Sequence, residues 1–215
     1  MESNYVSLGF QCTVPTVLNK KEIKGPTLPF DWMLSSPKFV YKMIYLLLDD
    51  MPVDTLVRDH FFKCDYKSQI LRENDDYVLE HYITNINGNA LLNRKYNVIF
   101  PHDSYDEFTI QKYIRRFERL KKIILEGKNV TYLYISPSSK ESGDFSIDGK
   151  IIIEDYILYL NKIYNLIKSK SNFFNFKVLL TNNNDIENLV SGIEYINISP
   201  KSVWMEIVDE CKNKL

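Results

Sequence analysis

Two side chains in this sequence have the types and local settings for acyl chemistry, Cys12 and His102. Cys12 follows the apolar run Val6 to Phe10 and precedes Thr13-Val14-Pro15. That tripeptide reads as a helix start, with Thr13 as cap and Pro15 in the first turn, where its missing N–H is harmless. A thiol placed there meets backbone N–H groups and a helix dipole that favour the thiolate, which suits a nucleophile. Gly9 would let the turn bring its backbone close to a substrate, and the N–H groups of Phe10, Gln11 or Cys12 would be oxyanion donors. His102, in Phe100-Pro101-His102-Asp103, follows another apolar run and is the best base candidate among the three histidines; His60 and His81 have no comparable setting. If the two runs are parallel strands, His102 reaches the same sheet edge as Cys12. There a neutral imidazole can take the thiol proton, with Asp31 or Asp103 orienting its far nitrogen. The competing readings are structural: a cysteine that fills a helix–sheet gap, and a loop histidine with an ordinary hydrogen bond.

Two further groups bear on substrate. Asp31 and Trp32 lie in Pro29-Phe30-Asp31-Trp32, where two large aromatics imply a loop packed against the domain. A carboxylate held by such packing is pre-organised as an orienter or a substrate acceptor, and the alternative is a structural plug. Arg115, Arg116 and Arg119 make up half of the six arginines and fall on the polar side or flank of an amphipathic segment. Either they form an anion clamp for a phosphate or carboxylate, or they are a solvated face paired with Glu107 and Glu118.

The elements that must position these groups follow from hydrophobic periodicity. Val6–Phe10 reads as a strand, followed by a helix from Thr13 that buries Val14, Val17 and Leu18 and stops near Gly25-Pro26. Phe39–Leu48 is a buried helix closed by Pro52. From about 54 to 95 the pattern weakens into an irregular insertion, with short strands at Tyr77–Leu79 and His81–Ile83. Tyr96–Phe100 reads as a strand. Glu107–Leu125 is an amphipathic helix with Ile110, Tyr113, Ile114, Phe117, Leu120 and Ile124 at spacings of three and four, ending at Gly127. Val130–Ile135 and Phe176–Leu180 read as strands around a helix at Ile153–Ser169 carrying Tyr156, Leu160, Ile163 and Ile167. A short helix at Asp185–Val190, a strand at Tyr195–Ile198 and a helix at Val203–Lys212 complete the chain. Near-continuous apolar strands alternating with helices predict a three-layer α/β fold, a mainly parallel sheet with helices on both faces. In such sheets ligands gather at the carboxyl ends of the strands, which is where Cys12 and His102 fall.

Four segments, in order and spacing, resemble the putative papain-like cysteine peptidase family: Ser7-Leu8-Gly9-Phe10-Gln11-Cys12, Pro29-Phe30-Asp31-Trp32, Phe100-Pro101-His102-Asp103, and Tyr113 to Leu120 with its Tyr-Ile-Arg-Arg-Phe-Glu-Arg-Leu sequence. The resemblance covers residues 5 to about 135 well. It implies Cys12 as nucleophile, His102 as base and Asp31 or Asp103 as orienting acid. It also implies a papain-like α+β fold as the alternative architecture, in which the cysteine's helix packs on an antiparallel barrel-like sheet. The βαβ periodicity of the second half points instead to the parallel sheet. Cys–His chemistry operates on unrelated folds, so this widens the substrate from peptides to any acyl compound, thioester or ester.

Composition narrows the rest. Of 215 residues 45% are hydrophobic and 26% charged, as a globular chain requires, and residues 1–215 read as a single domain. With 27 Lys plus Arg against 28 Asp plus Glu, the net charge of −1 gives no general field for nucleic acid or anionic membrane. The longest wholly apolar stretch, Met43–Leu48, is far short of the ~20 residues of a membrane helix. Met1-Glu2-Ser3-Asn4 shows no secretory signal, so a cytoplasmic location is expected. Cys12, Cys64 and Cys211 are too scattered for a disulfide framework or a zinc ribbon. With neither GxGxxG nor GxxxxGK[ST] among seven glycines, no nucleotide cofactor is expected, and no metal. The expected partner is a small-molecule or peptide substrate, without nucleic acid or membrane. Richness in Asn, Ile, Lys and Tyr over Arg and Ala reflects A/T-rich codons, as in a low-GC bacterium or a large DNA virus.

Overall fold

The computed structural model describes residues 4–9, 12–33, 35–61, 91–93, 98–100, 103, 106–136, 153–181, 186–199 and 204–215. Its strands are β1 (Asn4–Ser7), β2 (Leu91–Asn93), β3 (Val98–Phe100), β4 (Val130–Ser136), β5 (Phe174–Thr181) and β6 (Ile193–Ile198). Its principal helices are α1 (Thr13–Lys20), α2 (Pro37–Leu48), α3 (Val53–Thr55, continued by a π-turn over Leu56–Phe61), α4 (Glu107–Glu126), α5 (Ile153–Lys168) and α6 (Trp204–Lys214). β1, β4, β5 and β6 form a four-stranded, wholly parallel sheet in that order.

Alternation along each strand divides the core in two. Val6 and Leu8, Tyr132 and Tyr134, and Phe176, Val178 and Leu180 face a large cluster built with α2, α4 and α5. Leu133, Ile135, Leu179 and Ile198 face the other way, onto Val14, Val17 and Leu18 of α1 and Ile207, Val208 and Cys211 of α6. The fold is thus a three-layer α/β arrangement with helices on both faces of a parallel sheet. The antiparallel barrel-like sheet of the alternative is not found among the described residues.

Local chemistry explains most boundaries. Ser36 caps α2 by accepting from the Phe39 N–H at 3.3 Å, with Pro37 at the first helical position. Asp106 caps α4 by accepting from the Thr109 N–H at 2.7 Å. The strand expected at Val6–Phe10 runs instead from Asn4 to Ser7, and two further expectations require correction here. α1 stops at Lys20 rather than near Gly25, because Glu22 turns into the left-handed region with φ 59°. The Ile23 N–H then donates to Leu18 O at 3.1 Å and Glu22 N–H to Asn19 O at 3.0 Å, a Schellman closure with Ile23 packed on the same cluster as Leu18. The strand before His102 is β3, and it pairs antiparallel with β2, Leu91 opposite Phe100, in a separate two-stranded sheet. It is therefore not a parallel neighbour of β1 in the described sheet. The strands read at Tyr77–Leu79 and His81–Ile83 lie outside the described residues.

Candidate functional site

β1 delivers the turn that carries Cys12. The strand's last backbone bond runs from Leu8 N–H to Leu133 O at 3.0 Å, and the buried Ser7 hydroxyl accepts from the Gly9 N–H at 3.2 Å. Gly9 then adopts φ +86°, and a Cβ there would lie 2.0 Å from Ser35 Oγ, so both the turn and the approach of the next loop need glycine. Helices leave β1 and β4 on opposite faces, α1 onto one cluster and α5 onto the other. Neighbouring strands whose connections diverge open a crevice at their carboxyl ends, and Gly9 and Cys12 lie there.

Cys12, not Thr13, occupies the N-cap of α1; Thr13 is the first helical residue and is fully buried. The Cys12 carbonyl accepts from Thr16 N–H at 3.1 Å and Thr16 Oγ1 at 2.7 Å, which fixes the cap backbone. The thiol is half-buried and free. Burial raises its pKa from the ordinary cysteine value, and its own backbone N–H offsets this in part. The helix start therefore does not by itself make a thiolate.

The Pro29–Trp32 loop is pinned by Phe30, fully buried and packed edge-on against Phe39 at 6.4 Å and Phe117 at 5.8 Å. Trp32 is half-buried. Asp31 is 1% exposed and pairs with Lys24 at 2.7 Å, while the Leu28 N–H donates to it at 2.8 Å; both contacts fall on Oδ2. Burial raises the Asp31 pKa, opposed first by Lys24, then by the Leu28 N–H and Arg116. Asp103 is also buried, bound through Oδ1 to Lys112 and through Oδ2 to the Tyr113 hydroxyl at 2.6 Å. Burial pushes the Tyr113 hydroxyl well above its ordinary pKa, Asp103 adds to this, and Arg116 opposes it.

The three arginines of α4 part company. Arg115 is exposed, and Arg119 donates to Thr27 O at 2.6 Å, tying α4 to the chain just before the Pro29–Trp32 loop. Arg116 lies with its guanidinium 4.7 Å over the Tyr113 ring, and its Nη1 is buried with no hydrogen-bond acceptor among the described residues. Glu107 belongs to none of them: it pairs with Arg58 at 2.7 and 3.0 Å.

Arg116 links the two acids, since its charge acts on Asp31 and it bonds the Tyr113 hydroxyl that donates to Asp103, while Lys24 pairs with Asp31 and Lys112 with Asp103. Tyr113, Lys24 and Lys112 were not singled out as site residues in the sequence. Tyr113 read as core, and the sign that a buried tyrosine hydroxyl needs a partner was the available clue. Gln11 and His102 lie outside the described residues. Among the described residues no group of three or more His, Cys, Asp or Glu could hold a metal ion, and no helix is long and apolar enough to cross a membrane.

No curated protein and no solved structure matches the chain. Residues 3–186 match the family described as "Putative papain-like cysteine peptidase (DUF1796)". That span takes in the β1–α1 turn, the Pro29–Trp32 loop and all of α4, and the chain belongs to this putative papain-like cysteine peptidase family.

Proposed function

We propose that the chain is a cysteine-dependent hydrolase in which Cys12 attacks an acyl carbon and His102 removes the thiol proton. The observation that carries this is the position of Cys12, at the N-cap of α1 just beyond the carboxyl end of β1, in a chain of the family described as putative papain-like cysteine peptidases. Burial keeps the isolated thiol protonated at neutral pH, so attack requires a base, and His102 fills that role. Sulfur bonds to the carbonyl carbon, and N–H groups of Phe10, Gln11 or Cys12 hold the oxyanion. The proton then passes from His102 to the leaving group, and water releases the acyl group. Asp31 is the better orienting acid: both its contacts use Oδ2, which leaves Oδ1 for an imidazole N–H, whereas each Asp103 oxygen already has a donor. Trp32 and Arg116 border the substrate.

The pH dependence of iodoacetamide labelling tests this. Cys211, whose buried thiol is pushed up to about 12, serves as the slow internal reference. The expected result is a Cys12 reaction that persists below the ~8.5 of a free thiol and shifts upward in His102→Ala. A Cys12 profile that is the same in both proteins overturns the catalytic pair. A second reading, a binding module without catalysis, is favoured by the raised Cys12 pKa itself; it predicts a poorly reactive Cys12 and stabilisation by ligand.

A further inference from the structure

The network beneath the Pro29–Trp32 loop carries more positive than negative charge. Lys24, Lys112, Arg116 and Arg119 converge on it, against the carboxylates of Asp31 and Asp103. Asp31 answers Lys24, Asp103 answers Lys112, and Arg119 is taken up by a backbone carbonyl. Arg116 remains. Its guanidinium centre lies 4.7 Å over the Tyr113 ring, and the group also bonds the Tyr113 hydroxyl, which does not engage all of its N–H donors. Its Nη1 is buried with no acceptor among the described residues. A buried charged donor left unpaired is costly, and the acceptor that best matches a guanidinium edge is a carboxylate or a phosphoryl group.

Position supports a ligand as the missing acceptor. α4 ends at Glu126 and β4 begins at Val130, so the helix runs back along the sheet. Rising ~1.5 Å per residue, it brings Tyr113 ~20 Å back from its end, which is close to the ~23 Å length of β4. Tyr113 therefore stands near the carboxyl ends of the strands, with Arg116 one turn below it. We propose that Arg116, backed by Tyr113, binds an anionic group of the substrate, a carboxylate or a phosphoryl group. This deepens the hydrolase reading, and it rests on that reading only in taking the bound group as part of a substrate.

Thermal unfolding with sodium phosphate or sodium acetate, against sodium chloride at equal ionic strength, tests the site without requiring catalysis. Wild type and Cys12→Ala are expected to gain stability from at least one of the two anions. Arg116→Gln is expected to weaken that response about tenfold or more, and Arg116→Lys to retain part of it. A response to phosphate alone assigns a phosphorylated substrate, and one to acetate alone assigns a carboxylate. Mapping phenylglyoxal modification of Arg116 in wild type, with and without the anion, covers the case in which Arg116→Gln does not fold; protection is expected. The absence of an anion-specific shift in wild type, a shift of equal size in Arg116→Gln, or labelling of Arg116 unaffected by anion overturns the proposal. Anion binding that survives in Cys12→Ala while Cys12 labelling shows no dependence on His102 removes the hydrolase reading and leaves this site standing.

Discussion

Asp31 is where burial and charge compete most openly. Its carboxyl sits 1% exposed, and burial lifts its pKa above 3.8 even though Lys24, the Leu28 N–H and Arg116 all pull it down. From 3.8 upward the unfolded chain releases the proton before the folded one does, so this group's contribution to stability falls as pH rises through that window. The cost is complete once the buried carboxylate is charged. Urea unfolding from about pH 4 to pH 8 should show this decline, and Asp31→Asn should remove it; a slope unchanged in Asp31→Asn contradicts the assignment. Lys24→Met takes away the nearest opposite charge. It should push the Asp31 pKa further up and destabilise by about 3 kcal/mol near neutral pH, with a smaller loss near pH 4. Asp31 could be picked from sequence because an acid between two aromatics in a loop is out of place. Its partner Lys24 could not, since nothing in a run of lysines marks the one whose side chain folds inward. The same holds for Arg116: the sequence shows three arginines on one flank of a helix, and only packing against Tyr113 separates it from the exposed Arg115.

Most elements were legible because their apolar residues recur at a single period. α4 follows its expected span almost to the residue, with Ile110, Tyr113, Phe117, Leu120 and Ile124 buried as their spacing requires and Ile114 half-buried on the margin. β4, α5 and β5 follow in the same way. The end of α1 was misread because Gly25 is the conventional stop signal, whereas the chain closes the helix on Glu22, a residue that pays a steric penalty at φ 59°. Glu22→Gly should therefore stabilise the protein by about 1 kcal/mol, raising Tm by about 2–4 °C in a chain of this size. Gly25→Ala, where an added Cβ meets nothing within 4 Å, is the matched control and should change little. A lower Tm for Glu22→Gly would mean that the side chain makes a contact outweighing its backbone strain. The direction of β3 was illegible for a different reason. Three apolar residues do not encode which strand they pair with, and β2 falls in the segment that had read as irregular.

At the scale of the whole molecule, the sheet joins the two ends of the sequence. β1 pairs in register with β4, Val6 opposite Tyr132, and no other strand flanks it in the described sheet. We propose that residues 1–215 form one domain, because neither β1 nor the crevice after it is complete without β4. Differential scanning calorimetry should then give one transition, and two well-separated transitions would refute it. The pairing also has a consequence for synthesis. Contacts that close long loops form slowly, since their entropy is lost before their contacts are gained. At ~5–20 residues per second, a ribosome takes about 6–25 s to go from Ser7 to Val130. Throughout that interval the nascent chain carries Val6, Leu8 and the Cys12 turn with no sheet to receive them. Cys12 is made well before the strand that completes its setting, so a chain released before Val130 would carry the thiol without the sheet that positions its turn.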